Sequence, residues 1–232
     1  MRIHTERKIN VAIDGPAGAG KSTVARLVAA RLGYVYVDTG AMYRAVTLKS
    51  IREGVDLHDS AGLASLAERA AIELIPTESG QRVHLDGKDV SEAIRSAEVT
   101  SSVSTVSAVP AVRAVLVRLQ RDMADDRGVV MDGRDIGTNV LPDAEVKVFL
   151  TASVEIRAER RWKEIADKQP EVTKEQLTES IAERDRLDTE RDVSPLRQAV
   201  DAVLIDSSSL TIQQAAERIL DLCRQALEGR HS

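Results

Sequence analysis

Aromatic side chains are scarce in this sequence of 232 residues, which contains one Trp, three Tyr and one Phe. Proteins that bind single-stranded nucleic acids commonly stack bases on aromatic rings, and the scarcity argues against that class. The net charge of -5 provides no general attraction to DNA, RNA or anionic membranes. We therefore expect no nucleic-acid partner and no membrane partner.

Cysteine is almost absent, and long apolar runs are missing altogether. The single cysteine, Cys223, excludes a disulfide framework or a cysteine metal site within one chain. No apolar run reaches the roughly 18 residues of a transmembrane helix, and the charged segment 1–8 lacks the apolar core of a signal peptide. We expect a soluble, cytoplasmic protein whose core is built from Ala, Val, Leu and Ile.

A glycine-rich segment follows the first apolar run of the chain. It reads Gly15-Pro16-Ala17-Gly18-Ala19-Gly20-Lys21-Ser22 and has the Gly-x-x-x-x-Gly-Lys-Ser spacing of a phosphate-binding loop between a strand and a helix. Glycines allow backbone N–H groups to surround the β- and γ-phosphates, and the helix N-terminus adds partial positive charge. Lys21 can reach the same oxygens, and Ser22 offers a hydroxyl ligand for Mg²⁺. We expect these residues and Thr23 to bind ATP, although the loop alone leaves a kinase, a motor and a switch open.

Short apolar runs alternate with helical patterns through much of the chain. This alternation predicts an α/β fold with a five-stranded parallel sheet flanked by helices. The predicted strands are residues 9–13, 34–37, 129–131, 146–150 and 203–205.

Two stretches depart from that alternation. Residues 59–108 combine a helix at 61–71 with short antiparallel strands and turns at 77–80 and 86–87, which predicts an inserted α+β subdomain. Residues 153–191 contain two charged helices, at 154–166 and 174–187, and predict a helical lid. The core domain is then expected to comprise residues 1–58, 109–152 and 192–232.

Charged motifs follow two of the predicted strands. They are Asp38-Thr39-Gly40-Ala41-Met42-Tyr43-Arg44 and Asp132-Gly133-Arg134-Asp135. Because the carboxyl ends of strands face the active crevice of a doubly wound sheet, both motifs should lie near the phosphate loop. Arg44 could then bind an acceptor phosphate, and Asp132 could order Mg²⁺ through water. A helix N-cap beside a surface arginine and a turn with solvated charges remain alternatives.

Arginines are also spaced along the two charged helices. Arg157, Arg160 and Arg161 share one helix face, and Arg184, Asp188 and Arg191 share another if the helix continues. Such faces often carry only solvated ion pairs. On a lid they would instead approach the transferring phosphoryl group and exclude water.

Four segments together resemble the bacterial cytidylate kinases. They are Ile13-Asp14-Gly15-Pro16 through Thr23, Asp38 through Arg44, Asp132-Gly133-Arg134-Asp135-Ile136-Gly137-Thr138, and Glu183-Arg184-Asp185 through Asp192. The similarity extends over about residues 8 to 227. It implies a P-loop kinase fold in which the insert is the monophosphate-binding subdomain. Ala17 stands where many members have Ser, and Thr39 stands where Ser is frequent.

The resemblance assigns roles at the matching positions. The implied catalytic residues are Lys21, Arg134, Arg157, Arg161 and Arg191. The implied CMP-binding residues are Asp38, Tyr43, Arg44, Ser104, Arg113, Arg134, Asp135, Arg184, Asp188 and Arg191. Three functions are distributed among them: the phosphate clamp (Arg44, Arg134, Arg191), the cytosine edge (Ser104, Arg113, Asp135) and the sugar (Arg184, Asp188). Ser22 is the implied direct Mg²⁺ ligand, and Asp132 the ligand through water.

The implied activity is ATP-dependent phosphorylation of CMP and dCMP to CDP and dCDP by direct in-line transfer. The expected cofactor is Mg²⁺, the expected partners are ATP and CMP or dCMP, and the expected form is a monomer. One alternative is a kinase for another small acceptor, such as a different nucleoside monophosphate or a shikimate-like alcohol. The other is a nucleotide switch, but the sequence contains no guanine-reading Asn/Thr-Lys-x-Asp motif.

Overall fold

A computed structural model describes residues 8–77, 80–167 and 169–229 of the chain. The strands are β1 (Val11–Asp14), β2 (Val35–Asp38), β3 (Ile72–Thr77), β4 (Gly80–Leu85), β5 (Lys88–Asp89), β6 (Val129–Gly133), β7 (Val146–Thr151) and β8 (Val203–Asp206). The helices are α1 (Lys21–Leu32), α2 (Thr39–Glu53), α3 (Ser60–Glu68), α4 (Ala97–Ala108), α5 (Pro110–Asp122), α6 (Val154–Ile165), α7 (Lys174–Glu190) and α8 (Ile212–Glu228).

Five of the strands form one parallel sheet in the order β2-β6-β1-β7-β8. This confirms the predicted five-stranded parallel sheet and the α/β class. One face of β1 packs on α1 and α8 through residues such as Ile13, Val28 and Ile219, and the other face packs toward α5. Since every strand runs in the same direction, all five carboxyl ends meet along one edge of the sheet.

The insert, residues 59–108, contains the antiparallel sheet β3-β4-β5 where antiparallel strands were predicted. Asp86 and Gly87 form the β4–β5 turn with φ values of 51° and 75°, the left-handed backbone that such turns require. Residues 78 and 79 of the predicted 77–80 turn lie outside the described residues. The division of the chain into core, insert and lid stays a prediction.

Helix α4 is an element that the sequence pattern did not predict. Its sequence is rich in Ser, Thr and Val, which have modest helix propensity. Val99, Val103 and Val106 recur at helical spacing and are buried, and the Ser96 hydroxyl accepts from the Val99 N–H at the start of the helix. Burial against α2 and α5 thus outweighs the propensity, and it joins the insert to the core in one apolar cluster.

Helices α6 and α7, the two helices of the predicted lid, are capped by side chains. Ser153 caps α6, and Thr173 with Gln176 forms a capping box on α7. Helix α7 extends to Glu190, three residues beyond the predicted end at 187, which carries Asp188 toward the sheet. On the outer surface, the Lys174 ammonium lies 4.9 Å from the centre of the Trp162 ring and links the two helices.

Among the described residues, no single helix is long and apolar enough to cross a membrane. Helices α4 and α5 together meet the length and composition of a span, but they are bent by 95° relative to each other. Cys223 is completely buried on α8.

Candidate active site

The phosphate-binding loop connects β1 to α1 at the carboxyl edge of the sheet. Gly15 has φ of 148°, and a Cβ atom there would overlap the carbonyl oxygen of Leu150, so only glycine fits. Gly20 has φ of 88° at the start of α1. Lys21 is buried, and its ammonium donates to the Pro16 carbonyl at 2.7 Å. Burial, followed by repulsion from Arg134, lowers the pKa of Lys21.

A hydroxyl and a carboxylate meet beside this loop. The Ser22 hydroxyl donates to Asp132 Oδ2 at 3.0 Å, and the Tyr36 hydroxyl donates to Asp132 Oδ1 at 2.8 Å. Burial, followed by the nearby charge of Asp38, raises the pKa of Asp132. A hydroxyl and a carboxylate are hard oxygen donors suited to Mg²⁺. The described residues contain no group of three or more His, Cys, Asp or Glu side chains that could hold a metal. This donor set therefore fits an ion that takes most of its ligands from nucleotide phosphates and water.

Asp135 is the centre of a second cluster, immediately after β6. It receives hydrogen bonds from Arg113, from Asn139 at 3.0 Å and from Arg191 at 3.4 Å. The Arg113 guanidinium also lies 5.4 Å from the centre of the Tyr43 ring and donates to the Ser107 carbonyl on α4. The cluster therefore combines residues of α2, α5, the segment after β6 and the end of α7 around one buried carboxylate.

Arg134 connects this cluster to the lid. Its Nε donates to Asp188 Oδ2 on α7 at 2.7 Å, and the Asp188 side chain is 6% exposed. Burial disfavours the Asp188 carboxylate, but the charges of Arg134 and Arg184 outweigh it and hold the pKa of Asp188 below its usual value. The lid thus contacts the carboxyl end of β6 directly.

Two further arginines lie in this crevice without a hydrogen bond to any carboxylate of the described residues. Arg44 donates to the Ile94 carbonyl at 3.1 Å and to the Thr100 hydroxyl at 2.8 Å. Arg184 Nε is buried and has no hydrogen-bond partner among the described residues. Burial and the neighbouring Arg184 lower the pKa of Arg44 to about 9, and burial and Arg134 lower that of Arg184 to about 10. Such concentrated positive charge is suited to an anionic ligand.

Asp38 and Ser104 occupy the sides of the crevice. Asp38 accepts from the Ala41 N–H as the N-cap of α2, so the alternative expectation of a helix cap is met. Its second oxygen lies 3.8 Å from Arg95 of the insert. Ser104 is half-buried on α4, and its carbonyl accepts from the Ser107 hydroxyl. Substrate contacts by Asp38 and Ser104 stay predictions.

The lid arginines divide into two groups. Arg157 is buried and donates to the Ala17 carbonyl of the phosphate-binding loop at 2.9 Å and to Asp185 of α7 at 2.6 Å. Arg160 donates to the Ser207 carbonyl at 2.6 Å. Arg161 is exposed and pairs with Glu164 at 3.0 Å, so the structure does not bring it to the loop.

The geometry therefore contains a phosphate-binding loop and an arginine-rich crevice side by side, and sequence comparison names their family. The sequence model described as cytidylate kinase matches residues 11–225. The chain belongs to the cytidylate kinase family. It is 56% identical over 216 residues to a cytidylate kinase of Bacillus pumilus (strain SAFR-032), covering 93% of this chain and 96% of that protein. It is 54% identical over 220 residues to a cytidylate kinase of Bacillus subtilis (strain 168), covering 95% and 98%.

Among solved structures, the fold is similar to an uncharacterized protein from Eubacterium ventriosum ATCC 27560, with a TM-score of 0.51 and 11% identity. That similarity covers 92% of this chain and 97% of the other. At this identity it concerns the fold alone.

For this member of the cytidylate kinase family, four residues with contacts in the site were missed by sequence reasoning. They are Asp14, Tyr36, Asn139 and Asp185. Asp14 could have been recognised as a site residue, because it is a charged residue at the end of an apolar strand. Asn139 gave a weaker signal, being four residues after Asp135. Asp185 lies in a segment that carries the family resemblance but was given no role there, because its partner Arg157 is distant in sequence. Tyr36 gave no signal, since its partner Asp132 is also distant in sequence.

Proposed function

We propose that this protein transfers the γ-phosphoryl group of ATP to CMP or dCMP, giving CDP or dCDP and ADP. The observation that carries the proposal is the pair of half-buried arginines, Arg44 and Arg184, that face Arg134 beside the phosphate-binding loop. Their mutual repulsion suits a crevice that receives an anionic acceptor next to the ATP phosphates. Membership of the cytidylate kinase family supports a cytidine monophosphate as that acceptor.

The donor half of the proposed site is the loop Gly15-Pro16-Ala17-Gly18-Ala19-Gly20-Lys21-Ser22 with Thr23. Its backbone N–H groups and Lys21 would hold the β- and γ-phosphates. Mg²⁺ bound to Ser22, and through water to Asp132, would neutralise phosphate charge. On the lid, Arg157 would hold the loop backbone in place, and Arg161 would reach the donor phosphates only after the lid moves.

The acceptor half is proposed to bind the phosphate of CMP through Arg44, Arg134 and Arg191, and its sugar through Arg184 and Asp188. Tyr43 lies beside this cluster under Arg113, and Asp38 holds the start of α2. An acceptor phosphate is already anionic, so transfer needs no general base among these residues. The arginines act by aligning the attacking oxygen and by stabilising charge in the transition state.

Cytosine selectivity is proposed to arise from Asp135, Arg113 and Ser104. A carboxylate can accept from the cytosine amino group, while a guanidinium or hydroxyl can donate to N3 or O2. Uracil reverses donor and acceptor at position 4 and at N3, while its O2 stays an acceptor, so it would leave buried polar groups unpaired at about 1–3 kcal/mol for each group. Asn139, which donates to Asp135, would help to keep the carboxylate oriented.

A single chain supplies all of these residues, which supports a monomer as the active unit. We infer a cytoplasmic location because ATP and CMP are intracellular metabolites.

The proposal is tested by ADP release with a panel of acceptors: CMP, dCMP, UMP, AMP and shikimate. We expect turnover that depends on CMP or dCMP. In single-turnover assays, Arg134→Ala should lower the rate by about 100-fold or more, because it removes transition-state charge stabilisation. Arg186→Ala is the matched control, since Arg186 is exposed on α7 and pairs with Glu183 and Glu190.

Faster ADP release with UMP, AMP or shikimate than with CMP or dCMP would show that the protein is a kinase for that other acceptor. ATP hydrolysis at a rate that does not change with any acceptor would favour the nucleotide switch. Near-normal turnover of Arg134→Ala would remove this residue from the mechanism.

A further inference from the structure

Strand β2 is an outer strand of the parallel sheet, and its free edge is covered by one side chain of the insert. Gln81, the second residue of β4, donates from Nε2 to the Tyr36 carbonyl at 2.5 Å. Its Oε1 accepts from the Asp38 N–H at 3.3 Å. The amide therefore pairs with a carbonyl and an N–H two residues apart on the same strand edge, as the backbone of a neighbouring strand would.

This contact lies at the point where β2 becomes α2. Asp38 is both the last residue of β2 and the N-cap of α2, which carries Tyr43 and Arg44. The helical part of the insert holds Arg44 from the other side, through the Ile94 carbonyl and the Thr100 hydroxyl. The hairpin and the helices of the insert thus fix one short segment of the acceptor half from two directions.

We propose that Gln81 is a positioning residue for the acceptor site: its amide holds the carboxyl end of β2 against the inserted hairpin and so fixes the start of α2. It acts through Asp38 and α2 rather than by touching substrate. This inference rests on the proposed function, because it assigns Arg44 and Tyr43 to the acceptor. The Arg95–Asp38 pair is a weaker link, since Arg95 is exposed and the separation is 3.8 Å.

The chemistry of the amide decides which substitutions are informative. Gln81→Met preserves the length of the side chain but removes both the donor and the acceptor. Gln81→Glu preserves the acceptor for the Asp38 N–H but removes the donor. It places a carboxylate oxygen next to the Tyr36 carbonyl oxygen, and these two oxygens repel each other. Arg82→Met is the matched control, because Arg82 is the next residue of β4, points to the opposite face and pairs with Asp89 at 3.6 Å.

For Gln81→Met we expect the KM for CMP to rise about three- to tenfold, the effect of losing one or two hydrogen bonds. The KM for ATP and kcat at saturating CMP should stay within about twofold, because bound CMP restores the geometry of α2. In the unliganded protein, the Asp38 amide should exchange its hydrogen faster. Gln81→Glu should produce a smaller change in this exchange, and Arg82→Met should match the wild type in every measurement.

CMP affinity measured by calorimetry provides a readout that needs no turnover. Faster Asp38 exchange with unchanged CMP affinity would overturn the positioning role while leaving the proposed function intact. Unchanged exchange would show that Gln81 does not hold β2, and an equal rise in both KM values would indicate a general structural defect; either result overturns the proposal. Failure of the wild type itself to bind CMP would instead overturn the proposed function.

Discussion

Asp14 ends β1 with a carboxylate that is almost completely buried. Its two oxygens accept from the N–H groups of Ile136 at 2.8 Å and Gly137 at 2.7 Å, in the π-helical turn that follows Asp135. Asp14 therefore ties the start of the phosphate-binding loop to the segment that carries the acceptor cluster. Burial raises the pKa of Asp14 to about 6, although both hydrogen bonds oppose the shift.

This residue predicts a specific pH dependence of stability. Because its folded pKa lies above the unfolded value of 3.8, the folded state holds the proton more tightly. The contribution of Asp14 to the free energy of unfolding therefore falls as the pH rises from about 4 to about 6. Asp14→Asn lacks this titration. The wild-type free energy of unfolding minus that of the variant should fall over this interval, by about 3 kcal/mol at most.

Urea unfolding of both proteins at several pH values measures this difference and cancels the titration of the carboxyl groups that do not interact with Asp14. A difference that is constant or rises with pH would show that Asp14 is not a raised-pKa group.

The roles of individual residues were predictable from the sequence to different degrees. Positions such as Lys21, Arg44 and Arg134 fall within local motifs, so a motif was enough to indicate them. The contact between Gln81 and β2 joins residues more than forty positions apart, and nothing in the alternating pattern of β4 distinguishes Gln81 from an ordinary polar residue. Only the folded chain shows such a partner.

At the scale of elements, the strands of the parallel sheet were predicted within about two residues. The inner strands β1, β6 and β7 are buried on both faces, which requires continuous apolar runs. The outer strands β2 and β8 are only partly buried, but each also carries a short apolar run. Helix α4 was not predicted from the sequence. It is stabilised by burial of its valines, whereas its Ser, Thr and Val composition has modest helix propensity. The π-helical turn Ile136–Val140 was missed for a different reason. Its backbone is held by the distant Asp14 carboxylate and not by any local pattern.

The two helices of the predicted lid are joined by Arg157, which connects α6 to α7 and to the phosphate-binding loop. Arg157→Lys cannot reproduce the contacts to the Ala152 and Ala17 carbonyls and to Asp185, because a lysine has no fork of donors. We expect its KM for ATP to rise about tenfold and the amides of α7 to exchange faster even without nucleotide.

Two matched variants distinguish this structural role of Arg157 from the role of an arginine that contacts the ATP phosphates only after the lid closes. Arg161→Lys should leave exchange in the free protein unchanged and reduce kcat, because its ion pair with Glu164 is on the surface. Arg186→Lys should change neither quantity. Equal effects of Arg157→Lys and Arg186→Lys would show that the Arg157 contacts do not organise the lid.

For the whole molecule, the lid, the insert and the sheet meet around concentrated positive charge. Arg134 and Asp188 join the sheet to α7, and Arg44 joins α2 to the insert. Burial, followed by repulsion from a neighbouring arginine, lowers the pKa of both Arg44 and Arg184: the neighbour is Arg184 for Arg44, and Arg134 for Arg184. We expect an anion that binds among them to offset this repulsion and to stabilise the contacts among the three parts.

Stability should therefore depend on the phosphate of the ligand more than on its base. With CMP at roughly one hundredfold above its Kd, we expect the melting temperature to rise by about 5–10 °C. Cytidine at the same concentration should raise it far less, because it lacks the phosphate that neutralises the arginines. The rise with CMP should shrink in Arg44→Ala and in high salt, which screens the charge. A thermal shift series with CMP, cytidine and inorganic phosphate measures this. Equal stabilisation by cytidine and CMP would mean that the base, and not the cluster of arginines, holds the three parts together.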